Sequence, residues 1–153
     1  MKKFMEIVEE SLKNVKELLP WDLEEKLKEE EQPLLLDIRE PYEYNAMHIK
    51  GSISVPRGIL ETACEYNYEE TIPELVESRN REIVVICRSG YRSVLGAEVM
   101  QQLGYQNVCS LKSGLRGWND YEQPLVNEHN EVVDIEEGDD YFTPMLKPEQ
   151  IKQ

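Results

Sequence analysis

Apolar and polar residues alternate along the chain in two different periods, which predicts a mixture of helices and strands. Residues 1–19 place apolar side chains three or four positions apart, with Lys and Glu between them. This spacing is typical of an amphipathic helix, and Pro20 is expected to end it. Further helices are expected over roughly 22–30, 58–66, 71–79 and 93–103, and Gly104 fits a left-handed residue at the end of the last one.

Four apolar segments separate these predicted helices and fit buried strands. They are "PLLLD" (33–37), "GSISVP" (51–56), "EIVVIC" (82–87) and "NVCSL" (107–111). Continuous apolar runs of this length are typical of strands that are covered on both faces. Strands that alternate with helices predict a three-layer α/β domain with a mostly parallel sheet.

The two ends of the chain differ in character from the segment between them. Residues 127–153 are acidic, interrupted by Pro and poor in apolar side chains, which predicts an arm or tail outside the core. We therefore expect an N-terminal helix over 1–19, one domain over 20–126 and an acidic C-terminal arm over 127–153.

The overall charge of the chain indicates which classes of binding partner are disfavoured. The chain has 17 basic and 31 acidic residues, a formal net charge of −14. This charge opposes binding to nucleic acid or to an anionic membrane. The charged N-terminus is unlike a signal peptide, so we expect a soluble cytoplasmic protein. Three irregularly spaced cysteines favour neither a disulfide framework nor a metal site.

Cys87 stands out among these cysteines because of its place at the end of an apolar strand. The strand leads into "CRSGYRS", residues 87–93, and then into a predicted helix. Ligands of open α/β sheets bind at this end of the strands. Backbone N–H groups of the turn and the positive end of the helix dipole would stabilise a thiolate there. The sequence therefore predicts Cys87 as a nucleophile.

The residues that follow Cys87 suit a small anion. Arg88 and Arg92 can bind an oxyanion through paired hydrogen bonds, and Gly90 permits a sharp turn. Cys64 and Cys109 lack such neighbours, so we expect both to fill core space.

Three motifs together resemble the single-domain rhodanese sulfurtransferases. They are "LLLDIREPYEYNAMHIKGSISVP" (34–56), "CRSGYRS" (87–93) and "GLRGW" (114–118), in the order that the family shows. The resemblance covers roughly residues 20–125 and implies a five-stranded sheet flanked by helices. It also implies that Cys87 carries a persulfide, without a cofactor. Met47 stands where the family pattern usually has glycine.

The same resemblance implies how the loop is used. Arg88, Ser89, Gly90, Tyr91 and Arg92 match the cradle around the transferred sulfur, and Ser93 follows it. The expected reaction moves sulfur from thiosulfate or a persulfide, through Cys87, to cyanide or a thiol. The predicted partners are a small anionic donor and a thiol, cyanide or protein acceptor. Nucleic acid and membranes are not expected, and the chain is a monomer or a homodimer.

Two alternative functions remain open. One is a protein-binding or sulfur-carrier module in which turnover is incidental. The other is a cysteine phosphatase or arsenate reductase, which the family comparison disfavours. Cysteine phosphatases place five residues between Cys and Arg, whereas four separate Cys87 from Arg92.

Three further polar residues are candidates for supporting roles. Asp37 and Arg39 follow the first buried strand and either orient the active loop through hydrogen bonds or form a structural ion pair. His48 is expected to be a structural hydrogen-bonding residue, since a thiolate that is already ionised needs no general base.

Overall fold

Five short strands form a parallel sheet in the order β1-β5-β4-β2-β3. The computed structural model describes residues 1–152 of the chain. The strands are β1 (Lys16–Leu18), β2 (Leu34–Asp37), β3 (Ile53–Ser54), β4 (Ile83–Ile86) and β5 (Val108–Leu111). Every residue of β2 and β4 is buried, because helices cover both faces of the sheet. The predicted α/β fold with a parallel sheet is confirmed.

Helices connect the strands and flank the sheet. The α-helices are α1 (Phe4–Leu12), α2 (Pro20–Lys26), α3 (Pro41–Ala46), α4 (Leu60–Ala63), α5 (Pro73–Val76), α6 (Arg92–Gln102), α7 (Gly114–Asp120) and α8 (Ile135–Phe142). Short 3-10 turns lie at Arg57–Ile59 and Pro148–Gln150. None of the helices in the described residues combines the length and the apolar character that a membrane crossing requires.

The alternation of side chains along each strand divides the apolar interior into two cores. In β2, Leu34 and Leu36 contribute to one core, together with Val8 of α1. Leu35 contributes to the other core, together with Leu115 of α7. Successive strand residues point to opposite faces, so the sheet separates the two cores as the middle of three layers.

The N-terminal segment differs from its prediction. α1 ends at Leu12, and residues 16–18 form the edge strand β1, in which Lys16 pairs with Cys109 of β5. The predicted helix over 1–19 is therefore wrong beyond Leu12. Pro20 begins α2 rather than ending a helix, and a proline fits the first turn because no intrahelical N–H bond is required there.

α1 lies on its own domain. Val8 is fully buried, and the Ser11 hydroxyl donates to Glu98 Oε1 on α6 at 3.1 Å. Gln101 of α6 donates to the carbonyl of Asn14 at 2.8 Å. The apolar face of the helix is thus partly covered within one chain, while Phe4 and neighbouring apolar residues stay exposed.

The acidic arm is laid across the domain as far as Phe142. Val126 forms antiparallel bridges with His48 and Val132, and α8 packs against α7. Phe142 is 2% exposed and belongs to the second core. The Asn119 amide of α7 donates to Asp139 of α8 at 2.6 Å. The arm therefore forms part of the surface beside the carboxyl ends of the strands.

Replacing Val8 tests how firmly α1 is packed. Val8→Ala leaves a cavity in a closed core and should lower the free energy of unfolding by about 2 kcal/mol. The matched control Ile7→Ala changes a side chain on the same helix that is 41% exposed, and should cost less than about 1 kcal/mol. Urea denaturation of both variants measures the difference. Equal losses would contradict the packing of α1 described above.

Candidate active site

The loop between β4 and α6 surrounds the sulfur atom of Cys87. Cys87 comes directly after β4 and is 1% exposed. Its Sγ accepts hydrogen bonds from the backbone N–H groups of Gly90 at 3.1 Å and Ser93 at 3.3 Å. These donors lie at the N-terminus of the 11-residue helix α6. Both features favour a negatively charged sulfur.

Two serine hydroxyls extend this environment. Ser93 Oγ lies 3.2 Å from Cys87 Sγ and 2.7 Å from Ser110 Oγ on β5, and both serines are fully buried. When the sulfur is a thiolate, the Ser93 hydroxyl can donate to it and accept from Ser110. Ser110 was not among the predicted site residues, because its proximity to Cys87 depends on the pairing of β4 with β5.

Close backbone contact with α7 holds the outer side of the loop. The N–H groups of Leu115 and Arg116 donate to the carbonyls of Cys87 and Arg88 at 2.9 and 3.0 Å. Gly90 and Gly114 have φ values of +88° and +57°. A Cβ on Gly114 would overlap the Cys87 carbonyl, and one on Gly90 would lie 2.8 Å from the nitrogen of Ser113. Glycine is required at both positions for conformation and for space.

Arg92 is held by a residue that the sequence analysis did not single out. Its two terminal nitrogens donate to the two carboxylate oxygens of Glu43 on α3, each at 2.9 Å. Burial alone would raise the pKa of the Glu43 carboxyl, but the hydrogen bonds and charge of Arg92 bring that pKa below its ordinary value. The sequence predicted that Arg92 would bind a substrate oxyanion. In the structure its paired donors already hold Glu43.

The other loop side chains have their own surroundings. Arg88 Nη2 donates to the carbonyl of Phe142, at the C-terminal end of α8, at 3.1 Å. The exposed ring of Tyr91 meets Phe4 edge to face, with centroids 6.2 Å apart. Ser89 is half-buried beside Arg88. The segment from Cys87 to Ser93 is thus contacted by α1, α3, α7 and α8.

Asp37 and Arg39 form a buried ion pair rather than a direct contact with the loop. Arg39 Nη2 donates to Asp37 Oδ2 at 2.8 Å and to the carbonyl of Met47 at 2.7 Å. Within residues 1–152, the side-chain hydrogen bonds of this pair connect β2 with the end of α3, and none of them reaches residues 87–93. Met47 has a φ of −167°, an extended conformation that any residue adopts.

His48 and the remaining cysteines have structural surroundings. His48 Nδ1 donates to the carbonyl of Tyr44 at 2.7 Å, and the two rings are stacked. Burial raises the pKa of the Cys64 thiol, and burial also raises the pKa of the Cys109 thiol to about 11. Both thiols therefore stay protonated near neutral pH.

An open cleft of about 970 Å³ borders the loop at Arg88 and Arg92. Residues from α3 and its flanks form one side, and residues from α8 and the segment after it form the other. The lining residues are Glu40, Tyr42, Glu43, Ala46, Met47, Arg88, Arg92, Glu137, Asp140, Tyr141, Thr143 and Met145. The position of the C-terminal arm beside the site was not predicted from the sequence.

Comparison with protein families agrees with this geometry. The family model of the rhodanese-like domain matches residues 20–121. The chain belongs to the rhodanese-like family. The fold that the sequence motifs implied, a five-stranded sheet flanked by helices with Cys87 after a central strand, is the fold observed.

Sulfur-handling proteins are among the rhodanese-like relatives. The chain is 32% identical over 109 residues to the "Putative sulfur carrier protein YrkF" of Bacillus subtilis, a match that covers 71% of this chain and 54% of that protein. It is 30% identical over 112 residues to a sulfurtransferase of Allochromatium vinosum, covering 73% of this chain and 95% of that protein. The chain therefore spans about half the length of the first of these relatives.

A solved structure from Rhodopseudomonas palustris has a similar fold. Its TM-score is 0.71 at 26% identity, over 81% of this chain and 94% of that chain. That protein is described as one of unknown function and a possible tyrosine phosphatase. Both chemistries weighed from the sequence, sulfur transfer and phosphate hydrolysis, thus have a counterpart among the similar proteins.

The pair between Glu43 and Arg92 predicts a pH-dependent contribution to stability. Because folding lowers the pKa of Glu43, the pair stabilises the protein above the ordinary carboxyl pKa of about 4.3 and loses this contribution as pH falls through the folded-state pKa. Glu43→Gln should lower the free energy of unfolding by about 1 to 2 kcal/mol at pH 7. Below about pH 4 the difference from the wild type should shrink.

Chemical denaturation across this pH range measures the effect. Glu9→Gln, which removes an exposed carboxylate of α1, is the control and should follow the wild type. A Glu43→Gln loss that is the same at pH 3 and pH 7 would contradict a charge-dependent pair.

Proposed function

We propose that the protein is a sulfurtransferase that carries a sulfane sulfur on Cys87. The observation that carries this proposal is the convergence of the Gly90 and Ser93 N–H groups on Cys87 Sγ at the end of β4. A thiolate in such a position is a nucleophile. The relatives that are named as a sulfur carrier and a sulfurtransferase support the same chemistry.

The reaction has two displacement steps at sulfur. The Cys87 thiolate attacks the outer sulfur of thiosulfate or of a persulfide, and the S–S bond of the donor breaks. Sulfite or a thiolate leaves with the electron pair, and Cys87 becomes a persulfide. A thiolate or cyanide then attacks the outer sulfur, and Cys87 leaves as the thiolate. Neither step needs a cofactor or a general base.

The loop residues have distinct roles in this proposal. Backbone N–H groups of Gly90 and Ser93 stabilise the charge on Cys87, and Ser93 Oγ supplements them. Arg88 and Arg92 hold the loop between α8 and α3 through Phe142 and Glu43. Ser89 and Tyr91 form the remaining part of the cradle, and Asp37 and Arg39 support the end of α3.

A cysteine phosphatase is the second candidate, since the similar structure from Rhodopseudomonas palustris is described as a possible tyrosine phosphatase. Two features of the loop disfavour it here. Four residues separate Cys87 from Arg92, one fewer than cysteine phosphatases have. The paired donors of Arg92 hold Glu43 rather than facing an open phosphate site.

Mass spectrometry of the intact protein tests the proposal. After incubation with thiosulfate or with inorganic polysulfide, the wild type should gain one sulfur atom that a reducing thiol removes. Cys87→Ser should gain none and should form no thiocyanate with cyanide. Cys64→Ser and Cys109→Ser are matched controls and should keep most of the uptake, since burial raises the pKa of both thiols.

One combination of results would contradict the proposed sulfurtransferase. A wild type that takes up no sulfur from either donor but hydrolyses an aryl phosphate through Cys87 would replace the sulfurtransferase with a phosphatase.

A further inference from the structure

The cleft beside the active loop is far larger than a single transferred sulfur atom needs. Its volume of about 970 Å³ is typical of a site for a drug-sized ligand or a few residues of peptide. Tyr42, Tyr141 and Met145 give it apolar surface. The shape therefore fits a donor or acceptor in which the reacting sulfur is attached to a larger group.

Charge in the cleft is predominantly negative. Four carboxylates and two guanidinium groups line it. The Arg92 charge is paired with Glu43, and Arg88 donates to the Phe142 carbonyl. Within residues 1–152, the exposed carboxylates of Glu137 and Asp140 take part in no ion pair. An approaching anion therefore meets repulsion from the cleft as well as from the net charge of −14.

Much of this negative surface comes from outside the matched family region. Glu137 and Asp140 lie on α8, whereas the family model ends at residue 121. Packing against α7 and the contact between Phe142 and Arg88 fix α8 next to the loop. α8 thus adds a wall to the active-site cleft that the matched region does not contain.

We infer that this acidic wall selects the sulfur acceptor by charge and favours a thiol that carries a positive charge near its sulfur. A cysteine flanked by Lys or Arg in a partner protein and a small amine thiol share this chemistry. Exposed carboxylates attract such groups and raise their local concentration at the loop, while they repel anionic thiols. The inference rests on the proposed function, since it names the acceptor class of the same persulfide.

A charge series of acceptors tests the inference on the full-length protein. Cys87 is first loaded with sulfur from inorganic polysulfide, and mass spectrometry confirms the load. Cysteamine, 2-mercaptoethanol and 3-mercaptopropionate, which are cationic, neutral and anionic, then remove the sulfur at low ionic strength. Each rate constant per thiolate is divided by that thiol's rate constant with a small neutral disulfide, which corrects for intrinsic nucleophilicity. These ratios should fall in the order given, with a span of about fivefold or more.

Removing the two wall charges should compress this span. In Glu137→Gln/Asp140→Asn the span of these ratios between the cationic and anionic thiols should fall to about half of the wild-type span or less. The control Glu69→Gln/Glu70→Gln removes the same charge from an exposed loop outside the cleft and should keep the wild-type span. A flat series in the wild type, or equal compression in both double variants, would overturn the inference.

Two further measurements, the loading of Cys87 with sulfur and the rates with charged peptides, distinguish the remaining explanations. Failure of both polysulfide and thiosulfate to load Cys87 would overturn the proposed function itself, whereas a loaded protein without charge preference overturns only the acceptor class. Short peptides with cysteine between two Lys or between two Glu distinguish the sources. A Lys-over-Glu preference that exceeds the small-thiol span per unit of charge difference supports a protein acceptor, and a smaller one supports a small amine thiol.

Discussion

The active site depends on the backbone contact between the Cys87 loop and the first turn of α7. The carbonyls of Cys87 and Arg88 accept N–H groups of α7, while N–H groups of Gly90 and Ser93 point to the sulfur. The loop is thus polarised, with acceptors on the outside and donors on the inside. A buried sulfur anion requires such an arrangement, because nearby carbonyl oxygens would repel it and water cannot replace the lost hydration. The close approach works only because Gly114 has no Cβ.

An ion pair and a hydrogen bond hold the side chains of this loop from two directions. Glu43 holds Arg92 from α3, and the carbonyl of Phe142 holds Arg88 from α8. The end of α3 is in turn fixed to β2, since Arg39 bridges Asp37 and the Met47 carbonyl with negligible exposure of either side chain. Burying the charges of Asp37 and Arg39 costs free energy that their attraction only partly offsets, so the clearest effect of this pair is on geometry rather than on stability. Loss of one partner would leave the other charge buried and would release the loop.

The parts of this architecture that are encoded locally were predictable from the sequence. β2 and β4 are unbroken apolar runs because both faces are covered, and the Cys87 loop lies within seven consecutive residues. β1 escaped prediction because three residues on a sheet edge show no clear period, and the helical spacing of α1 continues through them. The pair between Arg92 and Glu43 joins residues 49 positions apart, so no local pattern reveals it. α8 was predicted as part of an arm, since only two of its eight residues, Gly138 and Phe142, are buried and its sequence therefore carries little apolar signal.

The loop around Cys87 is formed by consecutive residues, whereas the cleft around it is formed by distant segments of the chain. Under the proposed function, the loop provides the reactivity and the cleft provides the selectivity. In the proposed reaction, a negative charge on Cys87 would be stabilised mainly by backbone groups, which are the same for any side chains that preserve the loop conformation. Choice of donor and acceptor must then come from the side chains that an approaching molecule meets first. Here those side chains lie largely on α3 and α8, outside residues 87–93. Under the proposed function, proteins that share the loop can therefore differ in their sulfur partners when the elements around the cleft differ, and α8 is a cleft-lining helix that lies beyond the matched domain.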